Sequence, residues 1–227
     1  MSQPSQQRDF LANTQLWRGL PDEQLDAIAT IAIAKSYHKG EVIFVEGEEG
    51  SGFFVVKSGR VKVFKLSAEG KEQILEFFGA GEHFAEVPAF DGECFPASAT
   101  ALEKTELLFF ERTTFLALLA QQPKIAINML AIFARHLRRF ARLIEDLSLK
   151  EVPGRLAASL LYLSERSEHL EQVELDITKT QLASLLGTIP ETLSRVFAKL
   201  SQEELISING SRIRLLNPEG LKILAER

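Results

Sequence analysis

The apolar positions change their period along the chain, and each change marks a different part. Up to about residue 115 they fall in short runs separated by glycine. EVIFVEG, GFFVVKSG, RVKVFKLSAEG and KEQILEFFGAG follow one another with turn signals between them. Short runs rich in Val, Ile and Phe and bounded by Gly read as strands. Ten of the 14 glycines precede residue 93 and 13 of the 16 phenylalanines precede residue 116, which concentrates the strand signals in this half. An antiparallel barrel or roll is predicted, preceded by a helix around Asp22–Ala34.

From Ala126 the period becomes helical. Ala126, Leu130, Phe133, Leu137, Phe140, Ile144 and Leu147 are spaced alternately four and three apart, a heptad seam with Pro123 near its start. Arg135, Arg138, Arg139 and Arg142 lie on other faces. A narrow seam flanked by charge suits a parallel dimer helix; a helix buried against its own domain is the alternative. Met129, His136 and Leu143, seven apart, form a second stripe that suits packing on the roll. LSLKEVPG (147–154) breaks the pattern with Pro and Gly and reads as a hinge. The expected organisation is a β-roll with N-terminal helices over 1–122, a dimerisation helix over 123–147 and a winged helix-turn-helix domain over 148–227. The fold class is α+β.

The last part carries the clearest motif. In DITKTQLASLLGTIPETLSRVFAKL, Leu182, Leu185 and Leu186 give a first helix its apolar face, and Gly187 permits a sharp turn. A second helix is expected to start at Thr188 as N-cap, with Pro190 in the first turn and Glu191 completing a capping box. Leu193, Val196, Phe197 and Leu200 point inward. Glu191, Ser194, Arg195 and Lys199 share the outer face, with Thr192 beside them. Arg195 suits guanine O6 and N7, Glu191 suits cytosine N4, and Ser194 reaches donors or acceptors. Glu191 as a plain cap and Arg195 as its i+4 partner are the blander alternatives. Thr178, Lys179 and Thr180 are placed for backbone phosphates. ISINGSRIRLL then reads as a hairpin around Asn209-Gly210, a wing that offers Arg212 and Arg214 to phosphates.

Charge and composition adjust this reading in two places. The net charge of −5 argues against non-specific nucleic-acid binding. Yet Ile177–Leu216 carries five basic residues against three acidic ones, so the final part is mildly basic. The single cysteine, Cys94, excludes an intrachain disulfide and a thiolate cluster for zinc or iron–sulfur. The longest apolar run, AIATIAIA at Ala27–Ala34, is far short of a membrane span, and MSQPSQQRDF has no signal-peptide layout, so a cytoplasmic protein is expected.

The order of roll, long helix and winged helix resembles the CRP/FNR superfamily of bacterial transcription regulators over about residues 15–220. Within it, ETLSR is similar to the E-x-x-S-R pattern of the FNR branch. The resemblance implies a homodimer on palindromic double-stranded DNA with TTGA-like half-sites about 34 Å apart. The FNR branch's N-terminal cysteine cluster is absent, so its iron–sulfur chemistry does not carry over.

FAEVPAFDGECFPASA (84–99) aligns with the phosphate-binding cassette of the cyclic-AMP branch. Glu86 matches the carboxylate that holds a ribose hydroxyl, and Ala85 stands at the cassette glycine. Pro96 replaces the arginine that neutralises the phosphate, and Ala97 the serine after it. Phe140-Ala141 stands where a Thr-Ser pair meets adenine. A cyclic phosphate here would lack its charge-assisted partner, so cyclic AMP is not expected as effector. FAE and IEDLSLK resemble the nitric-oxide-responsive denitrification and nitrosative-stress branch, which implies haem. Phe84, Phe90, Phe95, Met129, Leu137 and Phe140 are the expected slot, near Glu86 and Pro96. His83 or His136 is the favoured ligand, with His38 and His169 also available. The Cys and His ligands of the carbon-monoxide-sensing branch are Ala85 and Val87 here. An unknown small effector, or none, stays open.

Two rival classes remain. A cyclic-nucleotide-type module attached to other signalling machinery is opposed by the winged helix. An enzyme is opposed by the scattered histidines and the lack of a catalytic constellation or P-loop. SERSEHLEQ (164–172) is a candidate RNA polymerase contact or a solvated charged loop.

Overall fold

The computed structural model describes residues 3–165 and 172–226. The chain divides into two units, Met1–His136 and Leu137–Arg227.

The first unit opens with α1 (Gln3–Asn13) and α2 (Asp22–Ile31). The expected helix is shorter than Asp22–Ala34, because Ala32 leaves it and begins β1 (Ala32–Tyr37). Six residues there pair with β8 (Thr105–Glu111), from Ala32 opposite Phe110 to Tyr37 opposite Thr105, and that ladder outweighs local helix preference. The Gly-bounded runs form β2 (Val42–Phe44), β3 (Gly52–Ser58), β4 (Val61–Leu66) and β5 (Glu72–Phe78). β6 (His83–Phe84), α3 (Glu86–Asp91) and β7 (Ser98–Ala101) follow. One sheet has the order β1-β8-β3-β6 and the other β2-β7-β4-β5, all antiparallel.

Alternation along the strands splits the aromatic residues between two cores. Phe53 and Phe110 face α1, α2 and α4 (Arg112–Gln121), where they surround Trp17 with Phe115. Their neighbours Phe54 and Phe109 point the other way, into the roll, with Phe44, Phe78, Phe84 and Phe95. The Glu111 carboxylate caps α4; the Thr114 hydroxyl, the Thr114 N–H and Thr113 hold its pKa down to about 2.

Helix α5 (Pro123–Leu149) buries Ile125, Met129 and Ile132 in the Trp17 core. It therefore turns a different edge outward than the seam alone specified. Leu130, Leu137 and Ile144, seven residues apart, are 64%, 70% and 65% exposed. Phe140 is exposed too, whereas Ala126, Phe133 and Leu147 are half-buried. Phe133 is engaged by Phe90, edge to face, at 5.1 Å between centroids.

In the second unit the chain breaks at Lys150-Glu151 and resumes as α6 (Val152–Glu165). Arg155 Nη1 donates to the Lys150 carbonyl at 2.6 Å across the break. β9 (Gln172–Glu174), which the sequence reading did not foresee, joins the wing to make the sheet β10-β11-β9. The remaining elements are α7 (Lys179–Leu185), α8 (Pro190–Gln202), β10 (Ile206–Asn209), β11 (Arg212–Leu215) and α9 (Pro218–Ala225). One apolar core holds them together, from Leu156 and Leu160 through Leu182, Leu193, Phe197 and Leu200 to Ile213 and Leu221.

Candidate nucleic-acid interface and effector cassette

In the second unit α7 and α8 are joined by a turn at Gly187, whose φ of +65° suits a residue without Cβ. The capping box falls on α7, not α8. Thr178 Oγ1 accepts from the Gln181 N–H at 3.2 Å, and Gln181 Oε1 accepts from the Thr178 N–H at 2.9 Å. Thr178 is thus committed to the helix cap rather than held free for phosphate. Thr188 is not the N-cap of α8; it belongs to the turn, where its N–H donates to the Ala183 carbonyl at 2.9 Å at the end of α7. Ile189 takes the N-cap position instead, with Pro190 at the first helical position.

Leu193, Val196, Phe197 and Leu200 are buried. That packing rotates Glu191, Ser194, Arg195 and Lys199 to solvent, with Thr192 half-buried beside them. Among the described residues neither Glu191 nor Arg195 makes an ion pair, so the i+4 pairing alternative is not realised. Lys199 lies 3.9 Å from Glu203, both largely exposed, a contact of little energetic weight. Lys179 and Thr180 are exposed, and Lys179 Nζ stands 5.9 Å from the Phe197 ring centroid.

The wing is a hairpin in which Asn209 pairs with Arg212, so its two-residue loop is Gly210-Ser211, one place later than expected. Gly210 has a φ of +64°, which suits glycine at the first loop position. Arg212 lies 3.9 Å from Glu174 with both side chains more than half exposed, and remains available to a phosphate. His169 and most of the 164–172 loop lie outside the described residues.

The cassette of the first unit is not an open loop. Ala85 has a left-handed backbone, φ 67° and ψ 30°, and acts as N-cap of α3. The glycine conformation is kept although the residue carries a Cβ. Gly50 shows how closely α3 lies on the roll: a Cβ there would stand 1.9 Å from Pro88 Cβ. Glu86 is buried and bonded to His83 Nδ1, also buried. The His83 ring in turn stacks on His136 of α5, with centroids 5.1 Å apart and planes 23° from parallel. The sequence signal for the first contact was present in H-F-A-E, a histidine and a carboxylate three residues apart at a turn. For the second, the stripe of Met129, His136 and Leu143 directed His136 toward the roll, but no local pattern specified His83, more than fifty residues away, as its partner.

Within the first unit the expected slot residues are not brought together on one face. Phe84 and Phe95 belong to the interior of the roll, where Phe95 stacks on Phe44 at 3.9 Å and Phe84 on Phe54 at 5.2 Å. Phe90 and Met129 pack with the Trp17 core on the other side of the sheet. Pro96 is exposed, and Leu137 and Phe140 belong to the second unit and are exposed. The reason is alternation: successive rings around the strands and α3 are sent to opposite faces. A haem needs an open apolar slot and a histidine nitrogen directed into it. Here the rings fill their own spaces, one His83 nitrogen is taken by Glu86, and its face is covered by His136. The residues do not fit that group in this arrangement. Among the described residues no three His, Cys, Asp or Glu side chains are grouped to hold a metal ion. No single described helix is long and apolar enough to cross a membrane.

Known proteins match both parts. Residues 34–122 match the cyclic nucleotide-binding domain family, and residues 154–224 the Crp-like helix-turn-helix domain family. The Cyclic AMP receptor protein of Thermus thermophilus is 34% identical over 200 residues, covering 88% of this chain and 91% of that one. The Transcriptional activator protein Anr of Pseudomonas protegens is 33% identical over 210 residues, covering 89% and 85%. The structure of FixK2 from Bradyrhizobium japonicum matches with a TM-score of 0.75 at 26% identity, covering 86% of this chain and 97% of that one. Fold and site thus define a DNA-binding transcription regulator with a cyclic-nucleotide-binding-like domain. The chain belongs to the CRP/FNR family of transcription regulators.

Proposed function

We propose that the protein acts as a homodimer on a palindromic site with TTGA-type half-sites, under the control of an effector in the roll other than cyclic AMP. The observation that carries the DNA part is the exposed face of Glu191, Ser194 and Arg195, with no ion pair at Glu191 or Arg195 among the described residues to be broken on binding. A guanidinium without a competing partner reaches guanine O6 and N7 at little cost. The dimer is supported by Leu130, Leu137 and Ile144, an exposed stripe of seven-residue period that a second α5 would cover. Twofold pairing of α5 would in turn require a palindrome, with half-sites about one helical turn apart.

The effector reading rests on the cassette. The Thermus thermophilus relative is named for cyclic AMP, yet by the family resemblance this chain has Pro96 and Ala97 where that ligand's phosphate needs a cation and a hydroxyl. Glu86 already has a partner in His83. An effector with a donor for Glu86 competes with His83 and frees its ring from His136, which reports occupancy directly to α5. Nitric oxide through haem, implied by the resemblance, is the signal this packing favours least. Contact with RNA polymerase, usual for a regulator that activates, has no described residue to rest on.

The test is binding to an operator selected from random duplexes, read by fluorescence anisotropy. Arg195→Ala should lose about 1–3 kcal/mol on that operator and little on unrelated DNA. Cyclic AMP at millimolar concentration should leave the wild-type curve unmoved. An unchanged operator preference in Arg195→Ala would overturn the groove assignment. A cyclic-AMP-induced gain in affinity would overturn the effector reading. Full affinity in protein stripped of small molecules would favour action without an effector.

A further inference from the structure

Ile189 holds an unusual place on the reading helix. It is the N-cap of α8, with extended φ −108° and ψ 154°, and makes no side-chain cap bond. That position usually goes to Ser, Thr, Asp or Asn, whose side-chain oxygen satisfies a first-turn N–H. Thr188, whose hydroxyl has the chemistry for the task, lies one residue too early, where its backbone N–H donates to the Ala183 carbonyl at the end of α7. Ile189 also stands outside the core: it is 53% exposed, while the inward residues of α8 are all buried. It therefore supplies neither a cap nor packing. The next residue is Pro190, which has no N–H, so the helix presents an apolar tip immediately before the polar face of Glu191, Ser194 and Arg195.

A single exposed isoleucine is ordinary on most surfaces. This one lies at the end of a helix whose family binds DNA, beside the side chains that face the bases. In a major groove the base-edge group that rewards aliphatic contact is the thymine C5-methyl; the other edges present donors and acceptors. A hydroxyl at this position would bond a phosphate or the helix's own N–H, and an isoleucine does neither.

We infer that Ile189 is a further specificity determinant, which packs against a 5-methylpyrimidine, thymine in an unmodified operator, in each half-site. The inference rests on α8 as the groove-reading helix. It adds a sequence preference that Glu191, Ser194 and Arg195 do not provide, because none of them gains from a methyl group.

The experiment uses the full chain and an operator selected from random duplexes. Each thymine is replaced in turn, symmetrically in both half-sites, by deoxyuridine, which keeps the pairing and the O4 acceptor and removes only the methyl. The wild type should lose about fourfold per half-site at one symmetric position. Ile189→Ser, which restores a capping side chain, should bind the thymine and uracil operators equally at that position. Indifference of the wild type to every replacement would overturn the inference, as would unchanged uracil sensitivity in Ile189→Ser. The wild-type scan decides the matter even where the variant folds poorly. If no operator can be selected at all, the groove reading itself falls, an outcome distinct from a selected operator that ignores uracil.

Discussion

The polar side chains of the reading helix and of the cassette have opposite arrangements. On α8, Glu191, Ser194 and Arg195 stand in solvent over an apolar floor of Leu193, Val196 and Phe197. In the cassette, Glu86 and His83 are turned inward, bonded to each other and capped by the His136 ring. Exposed charges are hydrated and cost the fold little, and they gain strength when a ligand excludes water. Buried polar groups must be satisfied inside the protein, so a ligand reaches them only by displacing a bond already made. One site is open before its ligand arrives, and the other is closed by its own residues.

The comparison can be tested at three depths. The largest effect belongs to the exposed side. Leu130→Glu with Leu137→Glu places charge on the stripe while sparing Phe133, which packs on Phe90. Light scattering should show monomers, and affinity for the palindrome should fall about 100-fold or more as two linked half-sites become one. A persistent dimer would remove the stripe from the interface. Next is the closed side. His83→Phe leaves Glu86 buried without its partner and should cost about 1–3 kcal/mol in urea unfolding. His83→Phe with Glu86→Leu should recover most of that loss. A single variant as stable as wild type would mean the pair is not what closes the cassette. The smallest effect concerns the backbone that carries Glu86. Ala85→Gly relieves a left-handed residue with a Cβ and should raise stability by about 1 kcal/mol. A loss on that change would show that the Ala85 methyl makes a contact worth more than the strain.

The same contrast explains what the sequence made legible. The reading helix follows from a local rule, because residues at i, i+3 and i+4 share a face whatever surrounds them. Glu191, Ser194 and Arg195 accordingly emerged together. Its cap was misplaced by one residue because the turn runs on through Thr188, whose backbone N–H bonds the Ala183 carbonyl of the preceding helix, a contact between elements rather than within one. The roll's strands were readable from Gly spacing, and Ala32–Ala34 was misread as helix because only the pairing of Ala32–Tyr37 with β8 makes this stretch a strand. The expected slot rings of the first unit part company for a further reason. Aromatic content says nothing about which face a ring takes, and Phe53-Phe54 and Phe109-Phe110 send neighbouring rings to different cores. The seam was visible as a heptad, but the rotation of α5 that exposes Leu130, Leu137 and Ile144 is set by Met129 and Ile132 in the Trp17 core.

The closeness of Gly50 to Pro88 also governs how this domain can diversify. With a Cβ at residue 50 only 1.9 Å from Pro88 Cβ and 2.8 Å from the Glu93 carbonyl oxygen, Gly50 cannot gain a side chain unless α3 shifts, so the seat of α3 fixes residue 50 as glycine. Val87, Cys94 and Pro96 are exposed around that seat and carry no such constraint. Divergence of signal preference among close relatives should therefore accumulate at those three positions, while Gly50 beneath them stays glycine.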